Sequence, residues 1–207
     1  MHDGQENKEL DIHSQIVDAA NTRFRHYGYG KTTMVEIAAD TGMSAANLYR
    51  YFNSKQDIIA ECANRCMCER VDRLRVAIRK SGMSAIEQLE TYVLTDLNMS
   101  HEMAEGDERI SELVNNITLE RPDMVYKKVE AENALIAEIL LHGNETGEFN
   151  VDDITKTADA IHMSLIIFNV PSFMSLYSLE EFKEKAKSVI ELIVTGLEKS
   201  NQAASRA

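Results

Sequence analysis

The chain contains no tryptophan and only two prolines and nine glycines in 207 residues. So few breakers leave long segments free to form helices, and no sustained period-2 alternation points to a strand. Three cysteines, Cys62, Cys66 and Cys68, crowd one helical segment. They cannot staple distant parts of a fold, which excludes a disulfide framework and fits a reducing, cytoplasmic compartment. Long hydrophobic runs are also missing. The most apolar stretch, Ile161–Met174, contains Asn169 and Pro171 and is too short to span a bilayer. The polar N-terminal segment carries no signal-peptide pattern. Positive charge is scarce overall, with 22 Lys and Arg against 34 Asp and Glu and a net charge of −12.

That deficit is local. Residues 1–80 hold 12 Lys and Arg against 11 Asp and Glu, whereas residues 81–207 hold 10 against 23. Within residues 23–55, five basic residues (Arg23, Arg25, Lys31, Arg50, Lys55) face only Glu36 and Asp40. Phosphate attraction needs a local positive face, not a basic protein. The acidic remainder repels nucleic acid and helps orient the molecule.

The same region carries the most informative pattern. Thr33 and Glu36 have capping-box spacing and predict a helix start. A short apolar helix follows over Met34–Asp40. Gly42 then suits a tight turn because it accepts φ > 0 without a Cβ clash. Ser44 predicts the cap of a second helix, Ala45–Tyr51. Ala38, Gly42 and Leu48 supply the small residue, turn residue and apolar anchor that two crossed helices need. Such a helix-turn-helix places its second helix in the DNA major groove.

The rest of the chain reads as all-α, with about nine helices in total from helical apolar spacing. Ile12, Ile16, Ala20 and Phe24 mark a first helix ending near Gly28. Ser54 caps a long helix with an apolar stripe of Ala63, Met67, Val71, Leu74 and Ile78, unbroken to Ser81–Gly82 and roughly 39 Å long. It predicts a direct helical connection between a DNA-binding head, 10–56, and a body, 57–200, with flexible tails at 1–9 and 201–207. In the body, Ser84 and Glu87 open a helix to about Met99, followed by a loop over 101–109 and a short helix at Ile110–Leu119. Pro122 begins a helix expected to stop at Gly143. A helix over 153–176 is expected to kink at Pro171, and Ser178 with Glu181 caps a final helix.

The ordered set Phe24, Gly28-Tyr29, Thr32-Thr33, Ile37-Ala38, Gly42-Met43-Ser44, Leu48-Tyr49-Arg50-Tyr51-Phe52 and Ser54-Lys55 resembles the TetR family of transcriptional regulators. The match covers about a quarter of the chain. The family often has a basic or hydroxyl residue where Ala45 and Ala46 stand. The resemblance implies an all-helical homodimer, a double-stranded DNA operator as partner, a small-molecule effector held in the body, and no enzymatic activity. It places DNA contacts at Lys31, Thr32, Thr33, Ser44, Ala45, Ala46, Asn47, Tyr49, Arg50, Tyr51 and Lys55. Of these, Arg50 suits a phosphate or guanine edge, Asn47 an adenine, and the two alanines thymine methyls. Thr33 and Lys55 lie at helix starts, where phosphate is attracted. Phe52 is expected to pack internally.

Met99, Met103, Met124, Met163 and Phe168 are candidates to line the effector pocket, since Met adapts to irregular apolar ligands. The segment 161–170 is apolar nearly all round, as a helix buried on every side requires. The resemblance implies that, with the last helix, it forms a dimer interface through Ile166, Val170, Phe173, Val189, Ile193 and Leu197. The cysteines read as core residues. The histidines show no metal-ligand spacing, and no cofactor motif or catalytic constellation is present. Remaining carboxylates read as solvated helix faces. The reading is a ligand-responsive repressor. Alternatives are an inducer-free architectural or partner-regulated DNA-binding protein, and a small helical enzyme sharing the head pattern.

Overall fold

The computed structural model describes residues 3–106, 114 and 117–203. Among them every regular element is helical. In chain order these are α1 (Asp3–Tyr27), α2 (Met34–Asp40), α3 (Ala45–Leu48), α4 (Lys55–Ile78), α5 (Ala85–Gly106), α6 (Pro122–Thr146), α7 (Ile154–Ser164), α8 (Ile166–Asn169), a 3-10 turn (Pro171–Phe173) and α9 (Leu179–Ala203). Two compact units form, Met1–Met67 with Glu112–Pro122, and Cys68–Ser111 with Asp123–Ala207. The division therefore falls later in α4 than the boundary read from the sequence. None of the described helices is long and apolar enough to cross a membrane.

The first unit packs α1, α2, α3 and the start of α4 around Ile16, Ala20, Phe24, Ile37, Leu48, Phe52, Ile58 and Ile59. Local chemistry sets its turns. Thr33 accepts from the Glu36 N–H, and Glu36 Oε2 accepts from the Thr33 N–H at 2.9 Å, completing the capping box. Ser44 Oγ accepts from the Asn47 N–H, and Ser54 Oγ from the Asp57 N–H. Gly28 and Gly42 adopt φ of 86° and 69°, a region nearly closed to residues with a Cβ. Helix α1 starts at Asp3, six residues before the end of the tail expected at 1–9.

The second unit buries Leu74, Ile78, Leu89, Val93, Leu97, Ile136, Ile139, Phe168, Phe182 and Ala186 in one core. Ser84 with Glu87 and Ser178 with Glu181 cap α5 and α9 as their spacing predicts. Glu148 adds a second cap to α5, its carboxylate accepting from the Ala85 and Ile86 N–H groups. These bonds hold Glu148 below the usual carboxylate range although burial pushes it upward.

Three boundaries in the second unit differ from expectation, and one expected helix lies largely outside the described residues. Helix α5 continues through 101–106 instead of ending near Met99. The helix expected at Ile110–Leu119 lies largely outside the described residues; 117–120 is helical. Helix α6 passes through Gly143 and ends at Thr146. Gly143 is there for packing, since a Cβ at that position would stand 2.1 Å from Phe149 Cδ2. The segment 153–176 is broken rather than kinked. Ser164 Oγ donates to the Ile161 carbonyl at the first break. Pro171 then forces Val170 extended, at φ −105° and ψ 115°, because the proline ring disfavours a helical residue before it.

Gly143→Ala is expected to lower stability. The buried Phe149 ring cannot stay in place beside a new methyl, and overpacking of this kind costs about 1–3 kcal/mol. That outweighs the helix-propensity gain of roughly 1 kcal/mol. Chemical denaturation of the variant checks it; an unchanged midpoint would show that Phe149 is not fixed against the helix.

Candidate functional site

The helix-turn-helix is built as its pattern requires. The Met43 N–H donates to the Ala38 carbonyl at 2.9 Å, closing the turn between α2 and α3. Ala38 and Leu48 are buried where the two helices meet. Helix α3 proper ends at Leu48, short of the expected Tyr51. Further turns carry the chain to Phe52, whose N–H donates to the Leu48 carbonyl at 3.1 Å. Phe52 is buried and stacks with His13, centroids 4.4 Å apart.

The expected DNA-facing residues divide into two groups. Lys31, Thr33, Ser44, Ala46, Tyr49 and Arg50 are exposed, while Ala45, Asn47 and Tyr51 are half-buried. Tyr49 keeps half of its surface open, so its ring is not a core residue. Thr32 and Lys55 are committed inside the unit. The buried Thr32 hydroxyl donates to the Gly28 carbonyl at 2.9 Å. Lys55 Nζ donates to the Tyr29 and Thr32 carbonyls at 2.7 and 2.8 Å and lies 4.3 Å over the Tyr29 ring. Lys55 thus ties the 28–33 turn to the start of α4. Arg23 is committed too, forking onto Asp40 and reaching Glu36 at 3.2 Å. Its hydrogen bonds pull the Asp40 carboxyl down, and those from Thr33 do the same for Glu36. The local positive face therefore rests on fewer residues than the sequence count of five.

Lys55→Met should destabilise the head. It leaves two carbonyls without a charged donor, and hydrogen bonds to charged groups contribute about 1.5–3 kcal/mol each. Hydrogen exchange at the amides of residues 28–33 reads this directly. Protection equal to the parent would mean that the Lys55 clamp does not hold the turn.

The body candidates are placed unequally. Met99, Met124 and Phe168 are buried and Met103 is half-buried. Met163, expected in the pocket, is 56% exposed and points outward. Ile166 and Phe173 are exposed, and Val170, Val189 and Ile193 half-buried. Leu197 instead packs into the body's own core. Within the single chain the apolar run 161–170 is buried on one side; Ile161, Leu165 and Phe168 face inward while Met163 and Ile166 face out. Of the cysteines, Cys62 is buried, donates to the Val17 carbonyl, and has its thiol pushed up to about 12, chiefly by burial. Cys66 and Cys68 are exposed, not core. His142 contacts Gln88 and His162 contacts Glu132.

Sequence reasoning missed a buried ionic cluster in the body. Arg70 Nη2 stands 2.6 Å from Asp96 Oδ1 as an ion pair without hydrogen-bond alignment. It donates to Ser100 Oγ at 2.7 Å and to the Asp96 carbonyl at 3.1 Å. Glu132 Oε2 takes Lys128 Nζ at 2.9 Å and His162 Nε2 at 3.0 Å. Glu132 and Asp96 are buried, not on the solvated faces expected for carboxylates. Burial pushes Asp96 upward despite Arg70. Burial pushes Glu132 the same way, but His162, Lys128 and Arg70 outweigh it and hold Glu132 low.

A helix-turn-helix head with exposed Tyr49 and Arg50, followed by a separate helical body, defines a DNA-binding regulator. Residues 16–62 match the model of bacterial regulatory proteins of the tetR family. Residues 85–190 match the tetracyclin repressor-like C-terminal domain. The chain belongs to the TetR family of transcriptional regulators. It is similar to the fatty acid metabolism regulator protein of Bacillus subtilis (strain 168), with 21% identity over 88% of this chain and 94% of that protein. Among solved structures it is similar to the fatty acid degradation regulator FadR from Bacillus halodurans, with a TM-score of 0.65, 22% identity, and coverage of 88% and 94%. It is also similar to Thermus thermophilus FadR in complex with lauroyl-CoA, with a TM-score of 0.61, 18% identity, and coverage of 86% and 92%.

Proposed function

We propose that this regulator is a homodimeric repressor, released from a palindromic operator by a small molecule that bears a long apolar chain. The carrying observation is the head's exposed set of Lys31, Ser44, Tyr49 and Arg50, on a chain whose body matches the family's C-terminal domain. In this reading Thr33, Ala45, Ala46, Asn47 and Tyr51 complete the DNA face. The exposed apolar residues Ile166 and Phe173, with half-buried Val170, Val189 and Ile193, support a dimer face. Two heads on one dimer read half-sites about one helical turn apart. Met99, Met103, Met124 and Phe168 are the candidates to touch the effector. An acyl thioester is the first effector to test, because the Thermus thermophilus relative was solved with lauroyl-CoA.

Helix α4 supports a route for release. Its Ile58 and Ile59 belong to the head core, and its Leu74 and Ile78 to the body core. A ligand that favours one setting of α4 changes the spacing of the paired recognition elements. Coupling of this kind typically amounts to about 1–3 kcal/mol, or roughly 5–150-fold in affinity.

Fluorescence anisotropy on DNA from upstream of the protein's own gene, beside a scrambled duplex and across a salt series, tests the reading. Tight sequence-dependent binding that weakens steeply with salt is expected, as is release by lauroyl-CoA. Equal weak binding to both duplexes would favour a partner-regulated DNA-binding protein. Operator affinity unchanged by saturating lauroyl-CoA would remove the acyl-thioester effector.

A further inference from the structure

The cluster around Arg70 leaves several buried polar atoms unmet. Arg70 Nε, Glu132 Oε1, Tyr92 Oη and His162 Nδ1 have no hydrogen-bond partner, although their residues are all buried. An unmet buried donor or acceptor carries a desolvation penalty, and native folds rarely tolerate several in one place. These atoms belong to one neighbourhood. Arg70 Nε and Glu132 Oε1 are 3.7 Å apart, too far for a direct hydrogen bond. The Tyr92 hydroxyl feels the charges of Glu132, Asp96 and Arg70.

The geometry defines what would satisfy them. A hydroxyl oxygen placed about 2.8 Å from both Arg70 Nε and Glu132 Oε1 accepts from the first and donates to the second, and a carboxamide does the same through its carbonyl oxygen and its N–H, at ordinary hydrogen-bond lengths. The Tyr92 hydroxyl can complement such a group in either sense, whereas His162, whose Nε2 donates to the Glu132 carboxylate, offers Nδ1 as an acceptor. Formal charge selects further. Arg70 and Lys128 balance Asp96 and Glu132, so a neutral group leaves the balance intact. A carboxylate would add a third anion beside two buried ones, and burying an uncompensated charge is costly. The turns that carry the cluster also carry core residues: Val71 and Leu74 beside Arg70, Met99 beside Ser100, Ile136 beside Glu132, and Ile161 and Leu165 beside His162. The polar group must therefore sit on an apolar body.

We propose that Arg70, Tyr92, Glu132 and His162 form the polar end of an internal ligand site in the body, which takes a neutral hydroxyl or carboxamide carried on an apolar chain. The proposal rests on the reading of the body as the effector domain, and it names the polar group that this end of the site recognises.

The probes are 1-decanol, decanamide and sodium decanoate, titrated calorimetrically into the full-length protein and into Tyr92→Phe. The two neutral probes should bind, and decanoate should bind at least roughly tenfold more weakly, the factor that about one hydrogen bond's free energy represents. Tyr92→Phe should weaken decanol and decanamide by a similar factor while retaining its helical circular dichroism. Glu132→Gln is the second variant, in case Tyr92→Phe misfolds; it should narrow the discrimination against decanoate. Decanoate binding as tightly as decanol would overturn the proposal. So would neutral binding that neither variant alters, or no binding of either neutral probe, which would leave the four atoms to internal water. Release of operator DNA by lauroyl-CoA, measured in parallel, separates the two readings: release without neutral-probe binding sinks the site but not the regulator's effector class.

Discussion

Replacing Arg70 with methionine is expected to destabilise the body by about 3–5 kcal/mol, as is usual when one partner of a buried ion pair is removed. The guanidinium carries the ion pair to Asp96 and the hydrogen bond to Ser100. Without it Glu132 still has Lys128 and His162, but Asp96 keeps no cation of its own. Asp96 is the group that suffers. The double variant Arg70→Met, Asp96→Leu should therefore regain much of the loss, since replacing both partners with apolar residues is often neutral. The penalty should also shrink on acidification. Burial already raises the Asp96 pKa, so with Arg70 gone the carboxyl takes a proton as pH falls, and the buried charge disappears. Guanidinium denaturation of both variants at neutral and mildly acidic pH reads each expectation. A single variant within about 1 kcal/mol of the parent, inside the ordinary range for surface changes and mild substitutions, would show that the cluster is not held by this pair.

What the sequence made legible was local. A Ser or Thr three residues before a Glu is enough to place a helix start, and Thr33, Ser84 and Ser178 all sit at one with their hydrogen bonds formed. The turn at Gly42 and the buried anchor at Leu48 follow from the same short-range chemistry. What failed was decided by residues outside the window. Gly143 resembles a helix stop until Phe149 is packed on it. Lys55 resembles a phosphate ligand until the Tyr29 and Thr32 carbonyls meet its ammonium. Pro171 ends a helix instead of kinking it because Val170 gives way first. The ionic cluster draws on four helices, so no spacing rule reveals its pairings. A signal existed nonetheless. Glu132 lies on the same helical stripe as Leu135, Ile136 and Ile139, and Arg70 on that of Leu74 and Ile78. A charged residue inside an apolar stripe belongs to the interior and needs a partner there.

The largest effect on function is expected at Arg50. Its side chain is exposed beside Tyr49 at the end of the second helix-turn-helix element, so its removal should cost the fold little. On DNA, a lost arginine contact is typically worth about 1–3 kcal/mol. In a dimer the contact is lost in both half-sites at once, which doubles the effect to about 2–6 kcal/mol, or roughly 30-fold to 20,000-fold in operator affinity. The salt dependence separates the two possible contacts. If Arg50 meets a phosphate, Arg50→Ala should weaken operator and scrambled DNA alike and lower the salt slope by about two, one per half-site. If it meets a guanine edge, the operator alone should weaken, and discrimination at one base pair should relax. Tyr49→Phe offers a finer comparison, since it removes only the hydroxyl and keeps the ring. Anisotropy titrations of both variants at several salt concentrations give all three readings. Parent-like operator affinity in Arg50→Ala would move recognition away from the end of α3, toward Lys31 and Ser44, which are also exposed.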